Sequence, residues 1–213
     1  MGKIQKFFET SVLKTIHFNL HYFGLKGMRF PVLVSRNYSL TSLNGTVSLN
    51  KLKTGCIRLG YSSVGIFDRR FDRGIWQCSG EVAFEGEASF GQGSKIIVGV
   101  NGRLRVGAGF RNTAKGEFVC HEEMYLGSDS LVSWDTLFMD TDTHQIDNKP
   151  TSAPVVLGDN VWVGFRCLVL KGAVVPDGSV LAAGTTVTRS LAPERALFGG
   201  LNKLLRTEIE WHV

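Results

Sequence analysis

Hydrophobic positions in the C-terminal half of the chain recur every six residues, at Leu157, Val163, Val169, Val175, Leu181 and Val187. Four positions after each of the first five stands a small or modest side chain: Val161, Cys167, Ala173, Ser179 and Thr185. A helix repeats at 3.6 residues and a half-buried strand at 2, and neither generates this period alone. A six-residue unit of one short strand and a turn does, and three such units close a triangular coil of about 18 residues. The aliphatic residues then stack inside the prism and the small ones sit near its corners. The template appears upstream at Leu126, Val132 and Phe138, with Gly127, Ser130 and Thr136 in suitable places, and earlier at Phe84, Phe90 and Ile96. The phase slips around residues 98 to 125 and is interrupted again at 139 to 156. Such interruptions map to loops, which often carry function.

The N-terminal stretch follows a different pattern. Ile4, Phe8, Val12, Ile16 and Leu20 are spaced by four, with Phe7 and Leu13 widening the stripe, which predicts an amphipathic helix ending near Gly24. The apolar stripe is expected to dock on the body of the protein. Lys3, Lys6 and Lys14 suggest a second use, peripheral contact with the inner face of a membrane, but Glu9 and two histidines dilute that basic face and favour docking. The resulting layout is a helical cap over 1–50, a β-solenoid over 51–196 and a tail, helical or extended, over 197–213.

Composition agrees with a turn-rich solenoid. Glycine supplies 25 of 213 residues, about 12% against a usual level of roughly 7%. With 43% apolar residues the chain can bury a core. It has neither a run suited to spanning a membrane nor the order of a secretory signal, so the expected compartment is the cytoplasm. The formal charge of +5 leaves room for an anionic partner. Basic residues do not cluster with interleaved aromatics, which argues against nucleic acid. Cys56, Cys78, Cys120 and Cys167 form no C-x-x-C pair and are expected to be reduced, buried packing residues.

The polar interruption at 139–156 holds Asp140, Asp142, His144 and Asp147. A histidine near carboxylates is a standard way to place a general base that works near neutral pH. A divalent metal is the rival use, disfavoured because no second His or Cys is near. A structural histidine in a solvated turn also fits these residues.

The segments GDNVWVG (158–164), KGAVVPDG (171–178) and VLAAGTTVTR (180–189), following the aspartate-rich turn with His144, resemble the hexapeptide-repeat acyltransferases, which fold as left-handed parallel β-helices. LGSDSLVSWDTLFMDTDTH (126–144) and GCIRLGYSSVGIFD (55–68) are similar more narrowly to O-acetyltransferases of surface-polysaccharide and lipopolysaccharide synthesis. The resemblance implies an all-β, left-handed β-helix that transfers acetyl from acetyl-CoA to a sugar, without a metal and as a homotrimer. It places His144 as catalytic base and Asp142 as its orienting partner. It places Trp162, Gly164 and the amides of Phe165 and Ala183 along the coenzyme arm, with Thr188, Arg189, Lys203 and Arg206 near its nucleotide end. Trp134 and Asp135 would shape the acceptor pocket, or Trp134 would pack between subunits. Relatives commonly carry Gly-x-Pro-Ala-basic after the last coil, whereas this chain reads Gly199-Gly200-Leu201-Asn202-Lys203. N-acetylation of a nucleotide-linked amino sugar and a catalytically silent scaffold are the alternatives.

Overall fold

The computed structural model describes residues 9–61, 64–68, 70–145 and 147–212. Its strands visit three sheets in rotation, giving a first sheet of nine strands, a second of seven and a third of six. Neighbouring strands pair in parallel throughout, except at one hairpin at the end of the first sheet.

The six-residue ladder is the wall of this prism. Leu157 lies opposite Val175, Val163 opposite Leu181 and Val169 opposite Val187, so each coil here takes 18 residues. All six ladder residues are fully buried, as are Val161, Cys167, Ala173, Ser179 and Thr185 at the corners. Burying a Val or Leu side chain contributes about 1.5–3 kcal/mol, which makes the ladder a leading source of stability. Corner hydroxyls satisfy the turns they occupy: Ser130 Oγ donates to the Gly158 carbonyl and accepts from the Val161 amide, both at 2.9 Å.

The phase slip at 98–125 reflects longer coils. Phe84 faces Val106 and Ile96 faces Phe118, 22 residues on, while Val106 faces Leu126 at a distance of 20. Strands here run to four or five residues, as in Phe110–Ala114. The space they enclose is filled by phenylalanines, with Phe90 to Phe118 and Phe118 to Phe138 ring centroids 5.3 Å apart. The solenoid also starts earlier than residue 51. Val32–Val34, Tyr38–Ser42 and Thr46–Leu49 pair with Ile57–Leu59, Gly74–Cys78 and Glu81–Phe84, so the first coil lies inside the region assigned to the cap. Two insertions leave the coils, one between Leu59 and Gly74 and one between Met139 and Val155.

The N-terminal helix, Val12–Phe23, is capped by Ser11 Oγ and ends at Gly24 (φ 54°). Ile4 and Phe8 lie outside the described residues. The helix docks on the body, but with its polar side inward. Asn19 Oδ1 accepts from the Val32 amide (3.0 Å), Asn19 Nδ2 donates to the Val32 carbonyl (2.7 Å), and Thr15 Oγ1 accepts from the Val34 amide (3.1 Å). Lys14 Nζ donates to the carbonyls of Arg36 and Tyr38, both at 2.7 Å. An open strand edge presents unpaired amides and carbonyls, and these side chains close it. Phe18 is the apolar anchor, its ring 5.0 Å from Trp76.

At the other end, Leu197–Gly199 and Lys203–Arg206 form an antiparallel hairpin, so the tail is extended there and not helical. All four cysteines are free and buried. Burial pushes the thiols of Cys78, Cys120 and Cys167 up.

Candidate functional site

The insertion carrying His144 leaves the corner between the second and third sheets through a narrow neck. Its root is Asp140, fully buried, whose carboxylate accepts from the amides of His121 (2.7 Å) and Glu122 (2.8 Å). Main-chain bonds then zip the two arms: Ala153 N to Asp140 O at 2.9 Å and Asp142 N to Thr151 O at 2.8 Å. Lys171, on the next coil, donates to the Pro150 carbonyl at 2.9 Å and forms an ion pair with Asp142, so it ties both arms together. Beyond the neck, Thr143 (φ 60°), Asp147 (φ 50°) and Asn148 (φ 57°) adopt left-handed backbone angles and turn the chain.

His144 sits at the tip of this neck, exposed, its amide bonded to the Asp142 carbonyl at 2.7 Å. Among the described residues no hydrogen bond reaches its ring. Asp142 therefore does not orient His144 through its carboxylate, which is engaged by Lys171; it holds His144 through the main chain. Lys171 and the anchoring role of Asp140 were not legible in the sequence, because their partners lie 29 and 19 positions away.

Thr188 and Arg189 stand at the same corner as the loop. Thr188 follows Thr186–Val187, which pairs with Leu168–Leu170, which in turn pairs with Leu137–Met139. At roughly 4.8 Å per strand, Thr188 lies about 10 Å along the corner from the root of the loop. Asn202 ties Thr188 to the hairpin: its Oδ1 accepts from the Thr188 amide (2.9 Å) and its Nδ2 donates to Thr188 Oγ1 (2.8 Å). This brings Lys203, the next residue, toward Thr188 and Arg189. Arg206 pairs with Leu197 at the far end of the strand, away from Lys203. Asn202 was not legible in the sequence, because its partner lies 14 positions away.

The other expected coenzyme positions occupy the corner between the first and second sheets. Among the described residues, the amides of Phe165 and Ala183 donate no hydrogen bond, so two successive coils present open donors here, a fit for the amide-bearing arm of a coenzyme. Gly164 serves packing: a Cβ there would meet Ala183 N at 2.7 Å and Leu181 O at 2.8 Å. Trp162 is exposed on the face of the first sheet, its Nε1 donating to Ser133 Oγ at 3.3 Å and its ring 6.2 Å from Trp211. Trp134 stacks on Phe165, with centroids 5.8 Å apart.

The first insertion folds over this same corner. Phe67 lies 6.4 Å from Trp134 and under Lys115 Nζ, 4.4 Å from its ring centroid. Together with the sheet it borders a cleft of about 590 Å³ lined by Phe71, Asp72, Arg73, Lys95, Lys115 and Asp135. Asp72 is paired with Lys115 at 2.9 Å. Asp135 is thus brought to a cavity with Arg73, whereas Trp134 packs behind it. Among the described residues no group of three or more His, Cys, Asp or Glu side chains could hold a metal ion.

No family model matches the chain. A Schizosaccharomyces pombe protein provisionally named an acetyltransferase is 35% identical over 72 residues, covering 31% of this chain and 35% of that protein. A Staphylococcus aureus (strain Mu50) protein with the same provisional name is 32% identical over 63 residues, covering 30% and 32%. A Lysinibacillus sphaericus protein provisionally named a macrolide acetyltransferase is 30% identical over 64 residues, covering 30% and 36%. The chain spans about a third of the length of these relatives. Among solved structures, the polySia-specific acetyltransferase NeuO matches 83% of this chain and 89% of its own, at 20% identity and a TM-score of 0.50, a likeness of fold. The repeat, the three-sheet coil and this likeness give the chain the left-handed parallel β-helix fold, and about a third of its sequence is similar to proteins named as acetyltransferases.

Proposed function

We propose that the protein is an acetyl-CoA-dependent O-acetyltransferase acting on a sugar hydroxyl in surface-polysaccharide or lipopolysaccharide synthesis, at the cytoplasmic face. One observation carries this above the others: His144 is presented with a free ring at the tip of a loop whose neck is bonded at every level, beside coils that offer open backbone donors. In direct transfer, the imidazole of His144 removes the acceptor hydroxyl proton while that oxygen bonds to the acetyl carbonyl carbon. The carbon–sulfur bond then breaks, and the departing thiolate receives the proton from the imidazolium. Holding both substrates in register supplies much of the rate, so a rigid neck suits the chemistry. Asp142 and Lys171 are positioning residues, and Thr188, Arg189, Lys203 and Asn202 suit the phosphate end of the coenzyme. Arg206 is the weakest member of that set on geometry.

A homotrimer fits the distribution of these groups. Within one chain, the amides of Phe165 and Ala183 and the Trp162 face are separated from His144 by the width of the second sheet. A second copy would bring its corner to this loop. The cleft under the first insertion, with Asp135 on its wall, suits the acceptor. Names borne by the relatives, and a polySia-specific enzyme sharing the fold, agree with acetyl transfer to a glycan.

The test is acetyl-CoA-dependent thiol release against a panel of hydroxyl and amine sugars, with native protein and His144→Ala. Turnover on hydroxyl acceptors, falling by roughly a hundredfold in the variant, is the expected result. Turnover on amines alone, or coenzyme that fails to bind, overturns the proposal.

A further inference from the structure

The periodicity of the N-terminal helix predicts docking through the apolar stripe, whereas the side that meets the body carries Thr15 and Asn19 around Phe18. Its inward side is Lys14, Thr15, Phe18, Asn19 and Tyr22, three of them polar and engaged with strand-edge groups or the Arg36 carbonyl. Of the described stripe residues, Val12 is 60% exposed, Leu13 81% and Leu20 38%, while Ile16 is half-buried. The short 3-10 helix that follows, Gly24–Arg29, folds back against Asn19, where a Cβ on Gly27 would lie 2.1 Å from the Asn19 carbonyl oxygen. It adds Leu25, 89% exposed, and Met28, 56% exposed, at the same end of the solenoid. Scattered exposed apolar residues are ordinary on a protein surface; a group of five concentrated on one cap calls for a partner.

Charge identifies the partner. From Thr10 to Phe67 the sequence contains no Asp or Glu, while it contains Lys14, Lys26, Arg29, Arg36, Lys51, Lys53 and Arg58. Of these, Lys26, Arg29, Arg36, Lys51 and Lys53 are exposed, Lys53 being paired with Glu87. Lys26 and Arg29 alternate with Leu25 and Met28 in the 3-10 helix, so cation and apolar side chain are interleaved over a few residues. Two such caps repel one another by like charge, which disfavours a second copy. An interface with anionic headgroups above acyl chains satisfies both components at once.

We propose that this cap is a peripheral docking surface for an anionic lipid bilayer, with Leu13, Leu25 and Met28 entering the headgroup boundary and Lys26 and Arg29 meeting lipid phosphates. The solenoid axis would then stand away from the membrane, leaving the corners with His144 and Phe165 in solvent. The surface is independent of the catalytic assignment, since none of its residues belongs to that site.

Cosedimentation of the full-length protein with vesicles of phosphatidylcholine, alone or mixed with phosphatidylglycerol, tests it. Native protein is expected to partition onto the anionic vesicles only, with binding weakened by salt. The variant Leu13→Ser/Leu25→Ser/Met28→Ser removes only exposed side chains and should lower partitioning roughly tenfold or more. Lys26→Gln/Arg29→Gln should lower it about fivefold per cation removed. Circular dichroism reports whether each variant is folded. Equal binding to both vesicle types, or binding unchanged in the folded apolar variant, overturns the proposal. So does a native oligomer that ignores vesicles and is dispersed by the apolar variant, which would assign the patch to self-association.

Discussion

Replacing Asp140 by Asn tests whether the buried root of the loop governs the presentation of His144. The carboxylate is fully buried and accepts two amide hydrogen bonds, from His121 and Glu122, at 2.7 and 2.8 Å. Asn keeps the shape and one acceptor oxygen but turns an NH₂ group toward the second amide. One charge-assisted bond is lost and one donor is stranded, a cost of about 2–3 kcal/mol. For a domain of this size that is a fall in melting temperature of roughly 4–12 °C. Loosening the root should also reduce kcat about tenfold to a hundredfold, because small displacements of a reacting group are expensive, while acetyl-CoA affinity stays near native. The assay combines thermal unfolding, thiol-release kinetics and hydrogen exchange at the amides of His121 and Glu122, whose protection should drop. An unchanged melting temperature together with unchanged exchange would refute the anchoring role. A fall in kcat without either structural change would likewise refute anchoring as the means by which Asp140 acts.

Three further outcomes follow from the same structure. Lys171→Met should cost at most about 1 kcal/mol of stability, since the pair with Asp142 is partly exposed, yet lower kcat severalfold with little change in KM for acetyl-CoA; native kcat would show that the neck is rigid without it. Gly164→Ala pushes a methyl against Ala183 N and Leu181 O, main-chain atoms that cannot step aside, and should destabilise by about 1–3 kcal/mol in thermal unfolding. Alkaline pH should weaken the fold. Burial raises the thiols of Cys78, Cys120 and Cys167 and the phenols of Tyr22 and Tyr38, and lifts Tyr61 to about 12. Each group stays neutral in the folded chain while its unfolded counterpart, at 9.0 for a thiol or 10.0 for a phenol, ionises. Stability is therefore full below about pH 9 and declines above it as the unfolded state sheds more protons; denaturant titrations at pH 8 and pH 10.5 with equal midpoints would contradict this.

The ladder from Leu157 to Val187 was legible in the sequence because a coil of three six-residue units repeats its own inward positions, so burial writes itself as a period. His144 was legible for a related reason, as the histidine of a polar segment that breaks an apolar repeat. Upstream, the period blurs because strands of four or five residues make coils of 20 and 22, and phenylalanines fill the wider prism. The insertion between Leu59 and Gly74 is not legible in the sequence, since no clean repeat brackets it.

By itself, then, the sequence determined the solenoid, its interruption and the histidine of the loop, all consequences of local pattern. Tertiary structure alone decided the partners. Lys171 reaches Asp142, Asn202 reaches Thr188 and Asp140 reaches His121 only because coils distant in sequence stack about 4.8 Å apart. The same holds for the N-terminal helix. Its stripe is visible in the sequence, but the open edge at Val32 and Val34 needed hydrogen-bond partners, so Thr15 and Asn19 turned inward beside Phe18 and left Val12, Leu13 and Leu20 outside. An unpaired buried amide costs more than an exposed leucine gains, and that balance depends on what the helix lands on.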